Sequence, residues 1–187
     1  MKRLWCIFFS PLLATSACGQ GMQDKSSIPS VQVAARIDNL YKEVVARHPL
    51  GAPDRKVFGS YLSKRLLHSF DIEDACLDRW RRANPDPNLK PDVGLLEFGV
   101  FSGGVDDTEP QAFQIERVEP GSDGSFRVHV KLTHSEAFYK QTWNVVAVVI
   151  IENGRPVVDD VIYLKQNDRD EERLSAILTR DCKDGLS

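Results

Sequence analysis

A hairpin of two apolar segments constrains the fold of this 187-residue chain more than any other feature of its sequence. Residues 142–151 are apolar at odd and even positions alike, and residues 156–164 follow after the dipeptide Asn153-Gly154. Asn-Gly is typical of a two-residue hairpin turn, because both central residues of that turn need a positive φ. The sequence therefore predicts a long antiparallel hairpin, and the first strand must be covered on both of its faces.

Three segments upstream of this hairpin also have the composition of strands. In the segment nearest the hairpin, Val128 and Val130 alternate with Arg127 and His129, which is the period of a strand with one buried face. The three segments are Leu95 to Phe101, which Gly103 and Gly104 end, Phe113 to Val118, and Phe126 to Leu132.

Helical periodicity precedes the strands. Apolar residues recur at helical spacing from Val33 to Val45, with Ser30 as the expected cap and His48-Pro49 as the stop. Three more helices are predicted, at Arg55 to Leu67, at Ile72 to Ala83 after Asp71, and from Asp168 with Glu171 to Leu178. Helices followed by antiparallel strands predict one α+β domain over residues 31–187, in which the N-terminal helices pack on one face of a curved sheet.

The first 17 residues predict a secretory signal peptide, because a basic start and an apolar stretch precede small residues. The apolar stretch of about 14 residues is shorter than the ~20 that a membrane-spanning helix needs. Thr15-Ser16-Ala17-Cys18 resembles the cleavage box of bacterial lipoproteins, which implies lipidation of Cys18. Residues 18–30 would then be a lipidated, flexible tether with a span of roughly 18 Å.

Gly19 stands where an aspartate would resemble a signal for retention in the inner membrane. The resemblance therefore implies an outer-membrane lipoprotein that faces the periplasm. The alternative is ordinary cleavage after Ala17, which would leave a soluble periplasmic protein with Cys18 as a free thiol.

Two cysteines lie in the predicted domain, Cys76 and Cys182. In an exported protein such a pair predicts a disulfide. The bridge would stabilise the fold by roughly 2 to 4 kcal/mol, because it closes a long loop in the unfolded chain. Two buried thiols are the alternative.

Charge and motifs argue against several classes of function. The formal net charge is −3, which lacks the basic surface that phosphate contacts require, so no nucleic-acid partner is expected. No nucleophile elbow, phosphate-binding glycine loop or zinc-binding histidine pair on a helix is present in the sequence. His129 and His134 would face opposite sides of a regular strand, and His129 shares the side of Arg127 and Lys131, which predicts a solvated basic face. We expect neither a metal nor a cofactor.

The segments LYKEVV and FGSYLSKRLL and the closing strand VVDDVIYL resemble a family of bacterial exported lipoproteins with an uncharacterised domain of the nuclear transport factor 2-like (NTF2-like) superfamily. The resemblance covers about residues 31–178. It implies an NTF2-like fold, with helices and a curved sheet enclosing a cone-shaped space. The family brings no established activity.

The closing strand places two carboxylates, Asp159 and Asp160, inside an apolar segment. Because strand residues alternate, only one of them can face the space between sheet and helices. In NTF2-like enzymes such an aspartate can act as a general base with a raised pKa. The simpler interpretation is an ion pair with Arg127, His129 or Lys131 on a neighbouring strand. The candidate ligand-binding residues are Asp159, Asp160, Tyr163, Trp143 and Trp80.

Three functions remain open on the sequence alone. We expect first a membrane-tethered, non-catalytic binding module that engages another envelope protein. Helices can cover only one face of the strand at residues 142–151, so its other face needs a long loop, the C-terminal segment or a partner protein. That cover could also be a second copy, in a homodimer through the sheet. The second function is an immunity protein that neutralises a toxin delivered to the periplasm. The third is a small-molecule enzyme with an aspartate general base in the cone pocket.

Overall fold

The computed structural model describes residues 29–86, 88–89, 99–103, 108–164 and 171–184. Three α-helices and a 3₁₀ turn come first, and five strands and a last helix follow. The helical elements are α1 (Ser30–Arg47), α2 (Arg55–Phe58), a 3₁₀ turn (Gly59–Tyr61) and α3 (Lys64–Ala83). The later elements are β1 (Ala112–Pro120), β2 (Phe126–Ser135), β3 (Lys140–Glu152), β4 (Arg155–Leu164), β5 (Glu171–Arg173) and α4 (Leu174–Asp184).

The strands form one open, antiparallel sheet in the order β1-β2-β3-β4-β5. The predicted hairpin is confirmed as β3 and β4, and its turn residues Asn153 and Gly154 have φ values of 51° and 75°. The helices pack on one face of the sheet, and α4 also contacts β4 and the edge strand β5, so the α+β class is confirmed. Each hairpin is a local contact between neighbouring segments, which is why sequence periodicity located these strands.

The predicted boundary between the second and third helices is wrong. The chain leaves the helical conformation at Leu62, which bridges to Val158 in parallel, and the Ser63 N–H donates to the Val158 carbonyl at 2.8 Å. The Ser63 hydroxyl then caps α3 by accepting from the Leu66 N–H at 3.0 Å. The break is imposed by β4, almost a hundred residues away, and local periodicity carries no signal for it. Asp71 is therefore not a cap and lies within α3.

Two further differences concern short elements. The predicted strand from Leu95 to Phe101 is not a strand at its described end, because residues 99–103 form a turn in which the Gly103 N–H donates to the Gly99 carbonyl at 2.7 Å. Residues 95–98 lie outside the described part. At the C-terminal end, β5 was not predicted, and α4 begins at Leu174 rather than near Asp168, which also lies outside the described residues.

Both faces of the sheet are buried at the centre. The helix-side core contains alternating residues of β2 and β3, including Val130, Val145 and Ala147. On the reverse face, Val146 lies between His129 and Ile162, and both Val146 and Ile162 are fully buried. His129 is only 8% exposed and contacts Glu119, so the predicted solvated basic face is wrong at this residue.

The reverse face therefore gives little support to a docking partner or a homodimer, since its centre is already covered within one chain. The homodimer stays a prediction. In the described residues no helix combines the length and apolarity needed to span a bilayer.

The two domain cysteines lie on helices that pack together. Cys76 is buried on α3, Cys182 belongs to the last turn of α4, and α3 contacts α4. The disulfide between them stays a prediction.

Candidate functional site

A turn of the chain fills the space between the helices and the sheet, where a cone pocket was expected. We call residues 99–103 the plug segment. Three aromatic side chains donate hydrogen bonds to three consecutive carbonyls of this segment. Tyr163 Oη donates to Val100 at 2.7 Å, Tyr41 Oη donates to Phe101 at 2.9 Å, and Trp143 Nε1 donates to Ser102 at 2.7 Å. Aromatic residues that could have lined a ligand pocket thus hold the protein's own backbone.

The plug segment is packed as core. Val100 and Phe101 are fully buried, and the Phe101 ring lies 5.2 Å from that of Phe58. Burial raises the pKa of Tyr41 and of Tyr163, so both phenols remain neutral donors at physiological pH. A buried carbonyl without a donor would cost about 1–3 kcal/mol, which the three aromatic donors avoid.

Asp159 occupies a β-bulge in β4. Val158 pairs with Val149 and Asp160 pairs with Val148, so Asp159 is the extra residue. The bulge breaks strand alternation, and the helix-side core takes both Val158 and Val161. Strict alternation, on which the prediction for the two aspartates was based, therefore does not hold from Val158 to Val161.

The carboxylate of Asp159 anchors the N-terminus of α3. It accepts from Ser63 Oγ at 2.6 Å and from Arg65 Nη2 at 2.6 Å, while Arg65 Nη2 also donates to the Asp159 carbonyl at 2.9 Å. Burial by itself raises the pKa of this carboxyl, but the hydrogen bonds from Arg65 and Ser63 outweigh it and hold the pKa below its ordinary value. Asp159 is thus a stable carboxylate with fixed partners.

The carboxylate of Asp160 is buried and receives the N-terminus of α4. Its Oδ1 accepts from the Ser175 N–H at 3.0 Å and from the Val161 N–H at 3.0 Å, and its Oδ2 accepts from Ser175 Oγ at 2.7 Å. Arg173 Nη1 lies 3.6 Å from the same Oδ2. A carboxylate at this position accepts hydrogen bonds from backbone N–H groups that a helix start leaves unpaired. Its negative charge also interacts favourably with the positive end of the helix dipole.

The candidate residues therefore divide into groups. Trp143 and Tyr163 meet at the plug segment, whereas Trp80 lies half-buried on α3 and is not among the plug donors. An ion pair for Asp159 was expected, but its partner is Arg65 rather than a basic residue of β2, because β3 lies between β2 and β4. Sequence reasoning missed Arg65 and Ser175, whose proximity to β4 has no sequence signal.

A second feature that the sequence did not single out is the turn between β2 and β3. Glu136 and Tyr139 exchange backbone hydrogen bonds at 2.7 and 3.4 Å, which closes a tight turn with Phe138 inside it. The Phe138 side chain is 104% exposed, Tyr139 is 53% exposed, and Leu50 is 57% exposed. We call these three residues the hairpin end.

A chain of polar contacts links the segment before Leu50 to the turn that carries Phe138 and Tyr139. His48, two residues before Leu50, lies 3.7 Å from the Glu109 carboxylate. The Glu109 carbonyl is 2.8 Å from His134 Nδ1, and His134 Nε2 is 3.3 Å from the Glu136 carboxylate. The contacts to Glu109 and then to Glu136 raise the pKa of His134. The exposed apolar residues are thus bordered by two histidines and two glutamates.

Metal binding gains no support from this border or from the aspartates. In the part of the chain that the structure describes, no three or more histidine, cysteine, aspartate or glutamate side chains are grouped so as to hold a metal ion. Comparison of the chain with protein-family models, with curated proteins and with solved structures found no match.

Proposed function

We propose that this chain is a membrane-tethered, non-catalytic binding domain of the bacterial cell envelope with an NTF2-like fold. One observation carries the proposal: the residues and the space expected to serve catalysis have structural roles in the fold. Asp159 is committed to α3, Asp160 is committed to α4, and the plug segment occupies the space where a substrate would bind. The hairpin end, by contrast, is exposed and available to another molecule.

The NTF2-like assignment is supported by the order of elements and by the closing strand. Helices α1 to α3 precede an antiparallel sheet and pack on one of its faces. Val157 to Leu164, the segment that resembles the exported lipoprotein family, forms most of β4. Placement in the outer membrane rests on the signal-like first 17 residues and on Cys18, and intact mass of the mature protein tests it. Absence of the added lipid mass would contradict lipidation.

The enzyme alternative receives no support from this geometry. A general base works best with a pKa near the pH at which it operates. The pKa of Asp159 is shifted in the opposite direction, and Arg65 and Ser63 occupy its oxygens. Asp160 has its lone pairs directed at Val161 and Ser175.

Affinity capture of the mature protein from envelope extract tests the proposed function. The chain carries an epitope tag, and the control is Cys18→Ser, which has the same domain without the lipid anchor. We expect one envelope protein to be enriched by the lipidated form, and mass spectrometry would identify it. A toxin as that protein would establish the immunity alternative. If neither form enriches any protein over an untagged strain, the binding function is wrong.

A further inference from the structure

We propose that the hairpin end, formed by Leu50, Phe138 and Tyr139, is the docking surface, and that its partner is a folded protein with an apolar pocket for one aromatic side chain. The inference deepens the proposed binding function and rests on it. Phe138 is the residue that enters the pocket, and Tyr139 and Leu50 lie around it.

Exposure is the first argument. Single exposed hydrophobic residues are common on protein surfaces and need no explanation. Here Phe138 and Tyr139 are adjacent exposed aromatic residues, and exposed Leu50 follows His48, whose segment is linked to their turn through Glu109 and His134. Full burial of a phenylalanine side chain contributes about 1.5–3 kcal/mol. Phe138 is 104% exposed, so none of this free energy is used within the chain.

Preorganisation is the second argument. The turn is closed by two backbone hydrogen bonds between Glu136 and Tyr139, and Tyr139 Oη is 2.8 Å from the Gln141 side-chain oxygen. Beside the turn, the Ser135 N–H donates to the side chain of Gln111 at 2.9 Å. A tip that is already ordered loses little conformational entropy when it binds, so more of the contact energy appears as affinity.

The position of the hairpin end relative to the start of α1 favours a protein over a lipid bilayer as the docking partner. Strand β3 has 13 residues, which is about 43 Å at the usual rise, and it begins beside the tip at Lys140. Its other end, Glu152, accepts from the Lys64 N–H at 3.2 Å.

Helix α1 runs between the same two ends. Its last turn approaches the tip through the contact of His48 with Glu109, whereas Arg36, near its start, bonds Ser60 close to the beginning of α3. The helix has 18 residues, about 27 Å, so the tether joins the domain at the end far from Phe138. With the proposed lipid anchor at Cys18, the domain is attached to the membrane from the side of this far end and not beside the tip.

The border of the hairpin end indicates what surrounds the partner's pocket. The side chains of Glu109 and Glu136 are 49% and 68% exposed, and each lies near a histidine. Basic residues on the rim of the pocket would complement these carboxylates. Such an arrangement, an aromatic anchor within a polar rim, is typical of protein–protein interfaces.

Site-specific photo-crosslinking in intact cells tests the docking surface. The full chain carries p-benzoyl-phenylalanine at position 138, and the matched control carries it at position 122, an exposed position in the turn between β1 and β2. Adducts are identified by mass, and the protein found at position 138 is purified. Its affinity is then measured for the wild-type chain, for Phe138→Ser and for Val31→Ser, which removes an exposed apolar side chain from the other end.

The inference requires a discrete protein adduct at position 138 that is absent at position 122. It also requires Phe138→Ser to bind the purified protein at least about 30-fold more weakly, as expected of an aromatic hot spot, with Val31→Ser unchanged. Both variants should fold like the wild type, because exposed side chains contribute little to stability. A lipid adduct, a self-adduct, no adduct, or equal affinity of Phe138→Ser would each overturn the inference. If affinity capture still enriches an envelope protein in such a case, the proposed function stands and only the docking surface is wrong.

Discussion

Replacement of Asp160 by alanine should destabilise the domain by about 3 kcal/mol. The carboxylate accepts three hydrogen bonds, two of them from Ser175 in the first turn of α4, and it is 2% exposed. Loss of a capping side chain costs about 1 kcal/mol. Loss of the negative charge at a helix N-terminus costs roughly 0.5–1 kcal/mol more. Leaving buried donors without an acceptor adds about 1–3 kcal/mol, and because these contributions overlap we expect a total of about 3 kcal/mol, in the lower part of their sum.

Urea unfolding followed by circular dichroism measures this free energy, and the expected fall in Tm is roughly 10 °C for a domain of this size. Asp160→Asn keeps one oxygen for the two backbone donors and should lose only about 1 kcal/mol. The control is Asp38→Ala, which removes an exposed helix pair with Lys42 and should cost at most about 0.5 kcal/mol. A loss below about 1 kcal/mol for Asp160→Ala would refute the assignment of Asp160 as the anchor of α4.

Three further outcomes are expected. The low pKa of Asp159 stabilises the fold above the ordinary carboxyl pKa of about 3.9, and this contribution disappears as pH falls through the lower folded value. The stability difference between wild type and Asp159→Asn, measured by urea unfolding from pH 2 to 7, should therefore shrink below about pH 4, and a pH-independent difference would contradict it. Gly103→Ala should lower the free energy of unfolding by more than about 2 kcal/mol, because φ is +58° and the new Cβ would lie 2.3 Å from the Tyr163 ring. Gly124→Ala is the control: its φ is +81° but the space around it is open, so the loss in the same assay should be about 1 kcal/mol. Cys76→Ser should lower the free energy of unfolding by roughly 2–4 kcal/mol under oxidising conditions and by much less under reducing conditions, and equal losses in both would argue against a disulfide.

The sequence predicted the strands well because their determinants are local. The alternation in β2, the apolar run of β3 and the Asn153-Gly154 turn each lie within a few residues of what they determine. Helix α1 was predicted for the same reason, and it ends at Arg47 where His48 takes a positive φ of 46°. These elements needed no knowledge of the rest of the chain.

What the sequence did not predict depends on distant partners. The break before α3 exists because Leu62 pairs with Val158. The bulge at Asp159 changes the direction of its side chain from the one that strict alternation predicts. The plug segment looked like the end of a strand, and only the three aromatic donors from α1, β3 and β4 explain its conformation. The same limit applies to the candidate site, because the sequence identifies carboxylates and aromatic residues but not the groups that they contact.

The anchoring of both flanking helices by β4 has a consequence for the order of folding. Asp159 holds Ser63 and Arg65 across 96 and 94 residues of chain, and Asp160 holds α4 only once β4 has paired with β3. Contacts of such sequence separation form late, because loop closure must precede them. During synthesis the start of α3 therefore lacks this attachment until the ribosome has made β4.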